Sequence, residues 1–138
     1  MPAKDIFHDA VKNALIKDGW TITSDPLTLT WKETSYYVDF AAEKLLAAEK
    51  AGSEIAVEVK SFIGVSEIRD LHNAIGQYQV YRSILRRTFP DMELYLAISL
   101  SAYEGRFIDD IGTLLLEDYD IKLIIFDGQK EEIKKWIR

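Results

Sequence analysis

The chain has 138 residues, 48% hydrophobic and 29% charged, with 7 Gly, 3 Pro and no Cys, a length that suits one domain with its own core. Without cysteine there are no disulfide frameworks, thiolate zinc sites or cysteine nucleophiles, and no run approaches the ~18 apolar residues of a membrane span. Seventeen Lys and Arg against 23 Asp and Glu leave a net charge of −6, the opposite of the basic footprint expected of a free-standing nucleic-acid binder.

Asp5 to Gly19 sets Ile6, Val11, Ala14 and Leu15 at helical spacing, and Gly19 is a natural C′ stop. Asp25-Pro26 marks a turn. Leu27 to Trp31 and Tyr36 to Phe40 are rich in β-branched and aromatic residues on either side of a polar Lys32-Glu33-Thr34-Ser35, the pattern of a hairpin. Ala41 to Ala51 has high helix propensity and predicts a short helix broken by Gly52-Ser53. Glu54 to Phe62 alternates, with Ile55, Val57 and Val59 on one face and Ala56, Glu58 and Lys60 on the other.

Ser66 is placed to cap a long helix running to about Arg87, on which Leu71, Ile75, Tyr78, Ile84 and Leu85 form the apolar side. Leu94 to Leu100 and Lys122 to Asp127 read as buried strands, with a helix over Gly105 to Asp118 between them. Ile133, Trp136 and Ile137 suggest a last amphipathic helix. The order α-β-β-β-α-β-α-β-α predicts an α/β fold, a mixed central sheet flanked by helices, in a single domain over residues 1–138. A soluble, cytoplasmic chain with no membrane role is the matching expectation.

One constellation carries chemistry. Asp39 ends one strand and Glu58-Val59-Lys60 lies on the next, where residues two apart share a face. If the strands are neighbours, the two carboxylates make a hard-oxygen site suited to Mg²⁺ or Mn²⁺, with an ammonium beside it to orient water or meet negative charge on phosphorus. Acid-x-Lys recurs at Asp120-Ile121-Lys122 and Glu132-Ile133-Lys134, so the triplet alone is close to background. An apolar strand is what sets Glu58 and Lys60 apart, because a charge there needs a partner. A structural salt bridge or a solvated sheet face would use the same residues. Gln77 and Tyr81, four apart on the long helix, can hang over such a site, or belong to an ordinary amphipathic helix. His8 and Asp9, neighbours about 100° apart on the first helix so that one side of it shows only one of them, read as a helix-surface histidine beside a solvated acid; Glu43 reaches the carboxylates only if the chain after Asp39 folds back. His72 reads as a surface residue. Arg82, Arg86 and Arg87 could track a phosphate backbone or simply complement the helix dipole.

The runs Tyr37-Val38-Asp39-Phe40, Ile55-Ala56-Val57-Glu58-Val59-Lys60-Ser61-Phe62, Gly76-Gln77-Tyr78 and Tyr81-Arg82 resemble the XisH family, the cyanobacterial fdxN-element excision controlling factors. So do Phe7-His8-Asp9-Ala10-Val11 and Asp18-Gly19-Trp20-Thr21-Ile22-Thr23-Ser24-Asp25-Pro26. The resemblance implies a restriction-endonuclease-like fold of the PD-(D/E)XK type and a part in the excision of a DNA element. Under it Asp39 corresponds to the first acid, with Val38 where the name motif has Pro; Glu58 and Lys60 are the E-x-K pair, and Gln77 and Tyr81 the Q-x-x-x-Y helix. It further implies DNA as substrate, a metal-proximal acid or histidine on the first helix, where one of His8 and Asp9 would stand beside the Mg²⁺ or Mn²⁺ expected at Asp39 and Glu58, and as partners a XisI-like companion and a site-specific recombinase. A homodimer could set two such sites against two strands. The rival expectation is a catalytically silent subunit that keeps the fold and acts through its partners.

Overall fold

The computed structural model describes residues 4–45, 52–62, 67–107 and 111–138. Its elements are α1 (His8–Lys17), β1 (Thr21–Ser24), β2 (Leu27–Trp31), β3 (Thr34–Val38), β4 (Phe40–Leu45), β5 (Gly52–Val59), α2 (Glu67–Thr88), β6 (Met92–Ser99), α3 (Leu100–Ala102), a π turn over Tyr103–Phe107, α4 (Ile111–Tyr119), β7 (Leu123–Asp127) and β8 (Glu132–Ile137). Six strands form one mixed sheet in the order β1-β4-β5-β6-β7-β8, and β2-β3 stand apart as a two-stranded sheet. The parallel pairs are β5-β6 and β6-β7, and the flanking pairs are antiparallel. This is the mixed α/β architecture that the element order predicts.

Alternation along β5 divides the core. Ile55, Val57 and Val59 pack with Val11 and Leu15 of α1 on one face, while Ala56 lies on the other with Leu71, Tyr78 and Leu85 of α2. The β2-β3 hairpin joins that second face through Leu27, Leu29 and Val38. Burying each such side chain contributes about 1.5–3 kcal/mol relative to leaving it in water. The buried Tyr78 hydroxyl fastens α2 to the sheet: it donates to the Leu94 carbonyl at 2.9 Å and accepts from the Lys122 N–H at 3.1 Å. Gly19, at φ +91°, ends α1 as its position suggests.

The structure departs from the sequence-based elements in several places. Ala41 and Ala42 are fully buried in β4, paired to β5, and do not begin a helix; tertiary pairing overrides alanine's propensity. The rest of that stretch, residues 46–51, lies outside the described residues, as does the proposed cap Ser66. The hairpin turn is the two residues Lys32-Glu33, with Lys32 at φ 56°, and the strand ends at Val38, short of Phe40. Of the helix expected over 105–118, residues 105–107 belong to the π turn and α4 begins at Ile111, while 108–110 lie outside the described residues. The C-terminal segment is an edge strand: Ile133 pairs with Phe126 and Lys135 with Ile125, leaving Lys134 as a bulge. A bulge adds one residue to the period of two, so Ile133 and Trp136 share a face at the spacing of a helix. Among the described residues no helix is long and apolar enough to cross a membrane.

Candidate functional site

At Asp39 the chain leaves the hairpin and bends into the main sheet. Phe40 pairs antiparallel with Val57, which brings Asp39 level with Glu58. The two acids then brace each other's backbone: Asp39 N–H donates to Glu58 Oε1 at 3.2 Å, and Val59 N–H donates to Asp39 Oδ2 at 2.6 Å. Lys60 Nζ lies 3.4 Å from Glu58 Oε2. Glu58 is 7% exposed, and burial, reinforced by the charge of Asp39, pushes its pKa up to about 8 against the pull of Lys60 and the Asp39 N–H. Burial likewise raises Asp39, although the Val59 N–H, His8 and Lys60 oppose it. The site thus holds two acids that both resist ionisation.

Behind Asp39 stands His8, 3% exposed. Its Nε2 lies 3.1 Å from both oxygens of Asp25, and its Nδ1 lies 3.7 Å from Asp39 Oδ1 with no hydrogen-bond partner. Lys12, one helical turn along from His8 and so on the same side of α1, bonds the same Asp25 carboxylate. Burial raises the Asp25 pKa, but the hydrogen bonds and charges of Lys12 and His8 outweigh it and leave the group lowered. A row therefore runs Lys12, Asp25, His8, Asp39, Glu58, Lys60. Asp9 is the α1 residue that faces away: it is exposed and sits 3.9 Å from Lys4.

Gln77 and Tyr81 line one cavity of about 510 Å³ with Asp39, Glu58 and Lys60. Burial first, then the charges of Glu58 and Asp39, lift the Tyr81 pKa to about 12, so the hydroxyl stays a proton donor. An adjoining cavity of about 710 Å³ shares Lys60, Gln77 and Tyr81 and extends along α2 past the exposed His72.

Other expected residues lie elsewhere. Glu43 pairs with Glu54 and Thr21 farther along β4 and lines neither cavity. Arg82 is committed to structure, donating to the Asp120 carbonyl at 2.8 Å, bonding Gln79 and lying 5.0 Å from the Tyr78 ring. Arg86 is exposed, while Arg87 donates to the Ser83 carbonyl at 2.9 Å and lies 6.0 Å over Trp31. Arg82 and Arg87 are thus engaged within the protein, while Arg86 stands exposed.

Two acids escape sequence reasoning. Asp25 reads only as turn punctuation before Pro26, yet it holds His8. Asp5 precedes α1 and accepts from the N–H groups of Phe7 at 2.9 Å and Ser61 at 3.0 Å, pinning the segment after Lys60 to the start of α1.

For a divalent cation the fitting donors are Asp39 and Glu58. Among the described residues no group of three or more His, Asp or Glu is arranged so that it could hold a metal ion; what the site offers is a pair of carboxylates, and Mg²⁺ is ordinarily held by one or two carboxylates and keeps several waters. Two buried carboxyls that are costly to ionise together are a fitting donor set, because a cation offsets both charges.

A family model described as XisH protein matches residues 1–134. The crystal structure of a XisH family protein from Nostoc punctiforme PCC 73102 superposes with a TM-score of 0.88 at 41% identity, covering 97% of this chain and 100% of that one. That of an fdxN element excision controlling factor protein from Anabaena variabilis gives a TM-score of 0.87 at 40% identity, covering 98% and 100%. None of the curated proteins is significantly similar to the chain.

Proposed function

The chain belongs to the XisH family, and from that premise we propose that it is a metal-dependent, endonuclease-like protein of the PD-(D/E)XK type that serves in controlling excision of a DNA element. The observation that carries this reading is the meeting of Asp39, Glu58 and Lys60 at one end of β5, with both acids raised in pKa by burial. The solved relative described as an fdxN element excision controlling factor supports the biological half of it.

In this proposal Asp39 and Glu58 hold Mg²⁺ or Mn²⁺. The ion, when bound, acidifies water and neutralises charge on the phosphate. Lys60 Nζ, 3.4 Å from Glu58, donates to the phosphate oxygen on which negative charge grows, or orients the attacking water. Water oxygen bonds to phosphorus as the ester P–O bond breaks; the water gives up a proton and the departing oxygen takes one. Gln77 and Tyr81, on the cavity wall, supply donors to the same phosphate. His8 and Asp25 act on Asp39 from behind and fix its orientation.

A net charge of −6 favours a second reading, a silent subunit that acts through a XisI-like companion or a site-specific recombinase, because an acidic chain repels a polyanion at close range, and within the ~8 Å Debye length of physiological salt a local basic patch cannot steer DNA from afar. Nicking of supercoiled DNA by the purified chain, with millimolar Mg²⁺ or Mn²⁺ at roughly 150 mM salt, separates the two. Nicking that Glu58→Gln abolishes supports the nuclease. No nicking by the wild type, with or without the companion, refutes it.

A further inference from the structure

The groove between the hairpin and α2 continues past the carboxylates. Tyr36 walls the acidic cavity and also a third cavity of about 580 Å³, whose other sides are Trp31 and, from α2, Gln79, Val80, Ser83 and Arg87. The Tyr36 ring also meets Tyr81 of the acidic cavity edge-on at 6.4 Å between centroids, and Tyr36 is a wall common to both cavities. Their chemistry differs: no acid lines the third one. Trp31 and Val80 are each 44% exposed there, an indole and an isopropyl group presented to solvent side by side. The pocket's one charged lining residue, among those described, is Arg87, 6.0 Å over the indole, and Lys32, next to Trp31 in the hairpin turn, is exposed.

We propose that this pocket seats an unpaired nucleobase of the same nucleic-acid strand whose phosphate lies at Asp39, Glu58 and Lys60. It rests on the reading above that DNA is the substrate, and it specifies a single-stranded or splayed segment. Every base has a π face that an exposed indole can stack on, and a planar guanidinium over that indole can stack on it or pair with the flanking phosphate. The pocket floor offers edge contacts. Arg82 occupies the Gln79 carbonyl oxygen, which leaves the Gln79 amide nitrogen and the Ser83 hydroxyl to face a base. A paired base in a duplex keeps its faces stacked and cannot enter. The charge balance agrees: an acidic chain that cannot rely on counterion release gains its affinity from stacking, a short-range and salt-tolerant contact.

The test is binding by the full chain in chelator, where turnover cannot intervene, to a single-stranded oligonucleotide of about ten nucleotides and to the duplex of the same sequence. Trp31 reports directly, because Trp20 is 6% exposed and stacked on Trp136 at 5.6 Å. The single strand should quench tryptophan emission and bind at least ~10-fold tighter than the duplex, Trp31→Phe should remove most of the quench, and Trp31→Ala should weaken binding roughly 10-fold. Arg87→Gln should reduce the log–log salt slope by about 0.7. No oligonucleotide binding, an equal quench in Trp31→Phe, equal duplex affinity or unchanged binding in Trp31→Ala each overturns the proposal. Melting of each variant shows that this exposed position leaves the fold intact. Trp31-dependent binding without nicking removes the nuclease reading and keeps this one; nicking with Trp31-independent binding does the reverse.

Discussion

Two acid-x-lysine triplets lie on the same sheet, Glu58-Val59-Lys60 at the end of interior β5 and Glu132-Ile133-Lys134 on edge strand β8. Their ion pairs have nearly the same length, 3.4 Å and 3.3 Å. Their surroundings do not match. The Glu132 and Lys134 side chains are 50% and 36% exposed, against 9% and 26% for Glu58 and Lys60, and only Glu58 has a second carboxyl hydrogen-bonded into its own strand. The same two side chains at the same spacing are a solvated pair in one place and a strained cluster in the other. Burial next to a like charge makes the difference, because it raises the free energy of the ionised site until a cation or a proton relieves it.

The largest break in this comparison should come from removing one acid at each place. Glu58→Gln is expected to abolish calorimetric Mg²⁺ or Mn²⁺ binding and to lower nicking by about 10²-fold or more, while stabilising the metal-free chain at pH 8 by about 1–3 kcal/mol. The amide keeps the size of the side chain and can still accept from the Asp39 N–H. Glu132→Gln is expected to change neither quantity. Equal metal binding by wild type and Glu58→Gln would show that the cluster holds no cation.

The pH dependence comes next. The unfolded chain releases the Glu58 proton near the ordinary 4.5, but the folded chain keeps it until about 8. Between those values the folded state binds more protons, so stability is full below about 4.5 and falls as pH rises through 8. Asp39, also raised, adds to the same slope. Asp25 is lowered and has the opposite sign, its contribution being lost only as pH falls below the usual carboxylate range. Urea titrations from pH 5 to 8.5 should show the wild type losing on the order of a few kcal/mol, with Glu58→Gln nearly flat. Mg²⁺ or Mn²⁺ should raise the melting temperature more at pH 8 than at pH 6, since ligands must be deprotonated. A wild type flat with pH would mean that Glu58 ionises freely.

The contrast between the triplets was only half legible in the sequence. Ile55, Val57 and Val59 fix the face on which Glu58 and Lys60 stand, and the polar break at Lys32-Glu33 places the hairpin, so Asp39 and Glu58 could be named together. At β8 the bulge at Lys134 gives Ile133 and Trp136 a helix-like interval, and local pattern reading cannot tell a bulged strand from a helix of one or two turns. β4 misleads for a different reason: its alanines favour a helix alone, and only the neighbours β1 and β5 make them a strand. His8 was a choice between adjacent residues that only the packing of α1 settles. The reach of Asp5 to Ser61 and of Asp25 to His8 is not legible in the sequence, because these partners lie far along the chain.

A smaller effect sharpens the link between the back row and the site. His8→Phe keeps the ring against Phe40, which it meets edge-on at 5.7 Å, but leaves Asp25 with Lys12 alone. Stability should fall by about 1–2 kcal/mol, and Mn²⁺ affinity by roughly 10-fold, as expected of a group that orients a ligand without touching the ion. The same substitution should leave the Glu132–Lys134 pair unaffected. Unchanged metal affinity with the stability loss would confine His8 to packing.

The smallest expected effect is also the most direct measure of the comparison. A double-mutant cycle, with Glu→Gln and Lys→Met at each triplet, isolates the coupling of each pair in metal-free protein. For Glu132–Lys134 it should be within about 0.5 kcal/mol of zero and vanish with added salt, because water screens half-exposed charges and two long side chains lose freedom when they pair. For Glu58–Lys60 it should be about 1–2 kcal/mol at pH 9, where Glu58 is ionised, and should shrink toward pH 6 as the carboxyl takes up its proton and the charge disappears. Salt should weaken it less than the Glu132–Lys134 coupling, since the Glu58 side chain is only 9% exposed against 50% for Glu132 and partly buried pairs are screened less. Equal couplings at both places would mean that the ammonium of Lys60 senses water as fully as that of Lys134, and the cluster could then not hold its charges in the low-dielectric setting on which metal binding and phosphate chemistry depend.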